Sequence, residues 1–120
     1  MKLNELKLEV DYFEFDEKYY HKVNPTPLKN PKLVSFNPLA CDLINLDYSE
    51  CETQDFVDFI NGSKILEGSI PYAMAYAGHQ FGYFVPQLGD GRAINLGAVN
   101  TWYLQTKGSG LTRYSRSGDG

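Results

Sequence analysis

The chain has few cysteines and histidines, no long apolar run and no apolar leader at its N-terminus. Cys41 and Cys51 form no CxxC pair, so a reduced setting is expected. His21 and His79 are far apart in the sequence and indicate no metal site. No apolar run approaches the ~20 residues of a membrane span, and the charged residues 1–9 lack the apolar core of a signal peptide. We therefore expect a soluble, cytoplasmic protein without a membrane partner.

Glycine is scarce in the first 77 residues and frequent in the last 43, which hold nine of the eleven glycines. The same last 43 residues contain only four cationic side chains: Arg92, Lys107, Arg113 and Arg116. Glycine lets backbone N–H groups approach a ligand closely, and cations beside such turns favour an anion such as phosphate. A nucleotide-phosphate site is therefore predicted in this part of the chain.

The net charge of −4 is unevenly distributed along the sequence. Residues 1–77 carry seven Lys/Arg against thirteen Asp/Glu, whereas residues 78–120 carry four against two. This asymmetry places any anion-binding surface in the C-terminal third and argues against a general nucleic-acid or anionic-membrane binder. We accordingly divide the chain into an N-terminal α+β region, residues 1–77, and a glycine-rich nucleotide-binding part, residues 78–120.

The N-terminal region alternates between strand and helix signals. Apolar and charged residues alternate over 5–15, which predicts a half-exposed strand or, as an alternative, an aromatic arm. Residues 19–23 and 32–36 are short strand candidates, joined by the proline-rich connector 24–31.

Two helices are predicted from their end signals. Asn37 and Pro38 favour a helix start, and a second helix is expected over residues 53–61 with Gly62 as its stop. The first would turn four apolar residues towards a core: Leu39, Leu43, Ile44 and Leu46. The second has apolar residues at i, i+3 and i+4: Phe56, Phe59 and Ile60. A third, short helix is predicted over residues 71–77.

Strand patterns follow over residues 81–88, 92–99 and 101–106. Asp90-Gly91 between two apolar runs predicts a hairpin, and Pro86 marks an edge or a bulge. The resulting prediction is an α+β fold with a three-stranded antiparallel unit, in which Lys107 ends the third strand.

A glycine turn followed one strand later by a lysine is the layout of the protein-kinase N-lobe, where both contact phosphates. Gly89-Asp90-Gly91 has only the first two of the three kinase glycines. Each feature also has a plainer interpretation: a tight turn, a solvated Arg92, a surface Lys107, a structural His79, or a polar loop at Tyr114, Ser115 and Arg116. Their joint occurrence favours a site.

Four motifs carry a family resemblance: residues 72–82 (YAMAYAGHQFG), 87–93 (QLGDGRA), 107–110 (KGSG) and 114–120 (YSRSGDG). They resemble the selenoprotein O family, SelO, called YdiU in bacteria. The segments VNPTPL at 23–28 and LVSFNP at 33–38 are similar to the same family. The resemblance therefore covers nearly the whole chain from about Tyr19.

The resemblance implies a protein-kinase-like fold that binds ATP in a reversed orientation and transfers AMP to hydroxyl side chains of proteins. It implies a nucleotide-binding turn with a phosphate-neutralising arginine, a lysine on the phosphates and a further Asp-Gly contact. Matched by motif, the nucleotide-binding residues are Gly89, Gly91, Arg92, Lys107, Asp119 and Gly120. The expected location is the cytoplasm of a bacterium, or the mitochondrion of a eukaryote.

The sequence departs from the family pattern at Ala98, where a glutamate is usual, at Arg113, where proline is usual, and in a shorter hairpin before Lys107. The catalytic base and the Mg²⁺ ligands are expected beyond Gly120, so the fragment alone should be inactive. Two other functions stay open: transfer of the γ-phosphoryl group, as in an ordinary kinase, and a non-catalytic interaction domain.

Overall fold

The computed structural model describes residues 1–14, 17–80 and 82–115. It has five strands, which we label β1 Tyr20–Lys22, β2 Tyr72–Gln80, β3 Tyr83–Gly89, β4 Ala93–Val99 and β5 Trp102–Lys107. Two α-helices lie between β1 and β2, namely α1 Pro38–Leu43 and α2 Gln54–Asn61. Short 3₁₀ turns occur at Leu3–Glu5, Tyr12–Glu14, Glu17–Tyr19 and Tyr48–Glu52. The described residues therefore form the α+β arrangement that the sequence predicts.

Strand β2 is the centre of the sheet, and all of its pairings are antiparallel. Its first residues pair with β1, where Tyr20 lies opposite Met74, and with β4, where Tyr72 lies opposite Asn95. Its later residues pair with β3. Strand β5 extends the sheet beyond β4, so the order is β1-β2-β4-β5 with β3 also on β2.

The predicted hairpin at Asp90-Gly91 is wrong. Because β3 and β4 are both antiparallel to β2, they run in the same direction. We call residues 89–92 the bend. The bend separates β3 from β4, which pair one after the other with β2. The β2–β3 pair is the hairpin instead, and β3, β4 and β5 do not form the three-stranded unit that the sequence suggested.

The two predicted helices are confirmed, together with their end signals. The Asn37 side chain accepts a hydrogen bond from the Leu39 N–H at 3.0 Å, and Pro38 occupies the first turn of α1. Thr53 caps α2 by accepting from the Phe56 N–H at 3.2 Å. Gly62 ends α2 with a φ of 86°, a conformation that glycine adopts without steric cost.

Three element predictions are wrong because they were made from local pattern alone. The described residues 5–14 form no strand, since 3₁₀ turns flank a single bridge between Glu9 and Ala98. Residues 32–36 form no regular secondary structure and pair with no described strand. Residues 71–77 begin β2 rather than a helix, because small buried Ala73 and Ala75 suit a strand enclosed by neighbours on both sides.

The core lies between β4, the helical region and the N-terminal segment. Its buried apolar side chains are Leu3, Leu6, Leu8, Cys41, Leu46, Cys51, Phe59, Leu66, Ile94, Leu96 and Val99. Two residues expected to face the core from α1 do not, because Leu39 is 73% exposed and Leu43 is 47% exposed. Within α1, Cys41 is the buried residue. In the described part of the chain, no helix is long and apolar enough to cross a membrane.

Candidate nucleotide-phosphate site

The bend is fastened to β2 by Asp90. The Asp90 N–H donates to the Met74 carbonyl at 2.8 Å, and the Met74 N–H donates to the Asp90 carboxylate at 2.9 Å. The same carboxylate oxygen accepts from the Asn95 amide at 3.2 Å. The backbone between β3 and β4 is therefore held at Asp90, and this sets the position of the Arg92 backbone two residues later.

Asn95 continues this polar connection into the sheet. Its side chain is buried in β4, and its amide also donates to the Tyr72 carbonyl at 3.3 Å. Gln105 of β5 donates to the Asn95 side-chain oxygen at 3.1 Å. Sequence reasoning missed this network, although an asparagine in an otherwise apolar strand was a signal for it, because buried amides need hydrogen-bond partners.

The structure brings Arg92 and Lys107 to the same end of the β4–β5 pair. Ala93 pairs with Lys107, and the Gly108 N–H donates to the Arg92 carbonyl at 2.9 Å. Arg92 is half-buried and Lys107 is exposed. The pairing brings the two residues close along the backbone, and each has a cationic side chain. Lys107 ends the fifth strand of the chain, β5, and not the third strand of the predicted unit.

A second segment, residues 112–115, covers the bend; we call it the strap. The Thr112 hydroxyl donates to the Asp90 carbonyl, and the Ser115 hydroxyl donates to the Gly91 carbonyl. The Tyr114 ring lies against Gly89, where an added Cβ would be 2.1 Å from the ring Cγ. Sequence reasoning gave a polar loop as the plainer interpretation of Tyr114, Ser115 and Arg116, and it did not connect them with the bend.

Gly89 and Gly91 have different roles, and neither has the positive φ expected of a tight hairpin turn. Gly89 leaves room for the Tyr114 ring. Gly91 has space for a methyl group, since the nearest atom to an added Cβ is the Tyr114 carbonyl oxygen at 3.5 Å. Gly89 is therefore the position of the two that excludes a side chain.

The geometry fits a phosphate better through side chains than through a backbone nest. The Asp90 N–H already bonds to Met74, so it is not available as a nest donor. The strap hydroxyls bond to the carbonyls of Asp90 and Gly91, which reduces the negative potential those oxygens would present to an anion. The cations of Arg92 and Lys107 are then the groups suited to phosphate.

Several residues singled out in the sequence are not part of the site described above. Asp119, Gly120 and Arg116 are not among the described residues. His79 lies in β2, with its Cα opposite Phe84. Within the described ranges, no group of three or more His, Cys, Asp or Glu residues could hold a metal ion.

An apolar groove of about 450 Å³ lies apart from the bend, between α1, α2 and β5. Its described lining includes Phe36, Leu43, Phe56 and Trp102, and none of the four described residues predicted to bind nucleotide. The groove is therefore not evidence for a nucleotide site within it.

Comparison with known proteins identifies similar sequences along almost the whole chain. The family model of the protein adenylyltransferase SelO matches residues 2–120. A protein nucleotidyltransferase YdiU of Thiobacillus denitrificans is 44% identical over 98% of this chain and 25% of its own length. The corresponding proteins of Thioalkalivibrio sulfidiphilus and Rhodopseudomonas palustris are 46% identical over 99% of the chain and 49% identical over 91%. They are matched over 25% and 23% of their own lengths, so the chain spans about a quarter of these relatives.

Proposed function

The chain belongs to the family of the protein adenylyltransferase SelO, and we propose that it supplies phosphate-binding residues to a protein adenylyltransferase with a protein-kinase-like fold. The complete protein would bind ATP and transfer AMP to Ser, Thr or Tyr hydroxyls of protein substrates. The names of the similar proteins, all protein nucleotidyltransferases, support this class of reaction.

One observation carries the proposal for this chain: Arg92 and Lys107 lie at the same end of β4 and β5. The Gly108-to-Arg92 bond of 2.9 Å fixes that arrangement, and residues 78–115 contain no described carboxylate except Asp90, which is occupied by Met74 and Asn95. Residues 78–115 thus carry more cationic than acidic side chains, which supports the binding of a polyphosphate.

In the proposed reaction, a protein hydroxyl gives its proton to the catalytic base and its oxygen bonds to the α-phosphorus of ATP, while the bond from that phosphorus to the leaving pyrophosphate breaks. Arg92 and Lys107 would neutralise phosphate charge, with Gly89 and Gly91 shaping the bend and Asp119 and Gly120 adding the further contact that the family resemblance implies. The catalytic base and the ligands of Mg²⁺, which would screen charge on the phosphates, would come from residues beyond Gly120.

In this proposal, the division of the chain at residue 77 separates two roles. Residues 78–120 would carry the phosphate contacts, and residues 1–77 would support them. Strand β2 runs across the division, so the two parts share one sheet.

The test uses the full-length protein with ATP labelled on either the α- or the γ-phosphate. We expect α-label on the protein substrate. Transfer of the γ-label would instead indicate a conventional kinase reaction, and no nucleotide binding at all would indicate an interaction domain.

Arg92→Ala tests the site within the same protein. The variant should weaken ATP on the order of ten- to a hundredfold, the size of one charge-assisted contact, and should leave adenosine binding nearly unchanged. Equal losses for both ligands would count against a phosphate role.

A further inference from the structure

The strap matches the bend residue for residue. Tyr114 packs on Gly89, the Thr112 hydroxyl bonds to the Asp90 carbonyl, and the Ser115 hydroxyl bonds to the Gly91 carbonyl. Three consecutive residues of the bend are thus held from one side by one short segment.

The strap is held in its fold by hydrogen bonds between its own residues. The Thr112 N–H donates to the Ser115 hydroxyl at 2.8 Å, the Tyr114 N–H donates to the Thr112 hydroxyl at 3.1 Å, and the Ser115 N–H donates to the Thr112 carbonyl at 3.2 Å. A segment that is ordered internally can hold a neighbour without a large additional entropic cost.

Arg92 follows directly after these contacts. The carbonyl of Gly91, which precedes it, is held by Ser115, and its own carbonyl is held by Gly108. The backbone on both sides of Arg92 is therefore held by hydrogen bonds, once by Ser115 of the strap and once by Gly108, which directly follows β5. A long cationic side chain loses much conformational entropy when it binds. A fixed backbone limits the positions that the guanidinium of Arg92 can reach.

We propose that Tyr114 and Ser115 are positioning residues that hold the bend so that Arg92 meets the phosphates of the nucleotide. This inference rests on the proposed function, and it assigns the strap a role in phosphate affinity that acts through Arg92. Neither strap residue needs to contact the ligand.

The test is a double-mutant cycle in the full-length protein, with the dissociation constants of ATP and adenosine measured by calorimetry. Tyr114→Ala should weaken ATP binding about tenfold, which is no more than the loss of one charge-assisted contact. It should leave adenosine binding unchanged. Tyr114→Phe keeps the ring on Gly89 and should bind ATP like the wild type. Tyr103→Ala is the matched control, because it removes an exposed tyrosine of β5 away from the bend.

The decisive measurement is Tyr114→Ala in the Arg92→Ala background. If the ring acts through Arg92, it should cost little further ATP affinity there, because residues that act together are not additive. Full additivity of the two losses, equal losses for ATP and adenosine, or unchanged ATP affinity in Tyr114→Ala would each overturn the inference.

Ser115→Ala provides the same test by removing one oxygen atom, and it decides the matter if Tyr114→Ala does not fold. It too should weaken ATP only when Arg92 is present. Failure of the proposed function is recognised separately: Arg92→Ala would then bind ATP as the wild type does, and the inference would fall with it.

Discussion

The Asp90 carboxylate and the Met74 N–H form a hydrogen bond of 2.9 Å at the point where β3 ends. Together with the Asp90 N–H bond to the Met74 carbonyl, it makes a reciprocal pair like that between opposite residues of antiparallel strands. A side chain thus takes the place of a backbone acceptor, and β2 stays hydrogen-bonded while the neighbouring chain bends away.

Asp90→Ala should destabilise the protein by about 1–3 kcal/mol, because it leaves the Met74 N–H without its side-chain acceptor and removes one partner of the buried Asn95 amide. Asp90→Asn retains an acceptor for Met74 and should cost less. Denaturant unfolding of both variants measures the difference. Equal stability of Asp90→Ala and the wild type would show that water replaces the carboxylate.

Gly89→Ala and Gly91→Ala form a matched pair at the bend. The methyl group at Gly89 would overlap the Tyr114 ring, so we expect a loss of about 1–3 kcal/mol as the ring is displaced. The methyl group at Gly91 meets only ordinary contacts and should change the free energy of unfolding by less than about 0.5 kcal/mol. Similar losses at both positions would contradict the packing of Tyr114 on Gly89.

The sequence predicted best what local chemistry decides. Asn37, Thr53 and Gly62 mark helix ends through their own side chains or φ angles, and the helices begin and end beside them. Sheet pairing depends on distant residues, which is why Asp90-Gly91 indicated a hairpin although its partners are Met74 and Asn95.

The candidate site was predictable in part for the same reason. Arg92 and Lys107 were identified by residue type beside glycines, and the pairing of β4 with β5 places them together. The partnership between Tyr114 and Gly89 links residues 25 positions apart, and no local pattern indicates it.

Lys107→Ala should remove most AMP transfer by the full-length protein while leaving the fold intact. The exposed end of β5 tolerates a small side chain, and losing one charge-assisted phosphate contact costs on the order of 1.5–3 kcal/mol, or about ten- to a hundredfold in rate. Transfer of α-labelled AMP measures the effect, and unfolding midpoints serve as the control. Full activity in a folded variant would exclude the lysine from the site.

Stability should decrease in alkaline solution because of Cys51. Burial raises the pKa of the Cys51 thiol from 9.0 to about 12, and the Cys41 thiol at 3.5 Å adds to the effect. Between these values the unfolded thiol loses its proton while the folded one keeps it, so the free energy of unfolding falls as pH rises through this window.

The measurement is denaturant unfolding at pH values on either side of 9, compared with Cys51→Ala. The variant starts from a lower stability because it leaves a small cavity, but its stability should depend less steeply on pH. The same slope in both proteins would mean that the thiol ionises equally in the folded and unfolded states.

The N-terminal segment has a consequence for the order of events during synthesis. Leu3, Leu6 and Leu8 are buried against partners that include Ile94 and Leu96, and Glu9 exchanges two hydrogen bonds with Ala98. During synthesis, these leucines can reach their full burial only after β4 has been made. Because contacts so distant in sequence form late, we expect the docking of this segment to be among the last steps of folding.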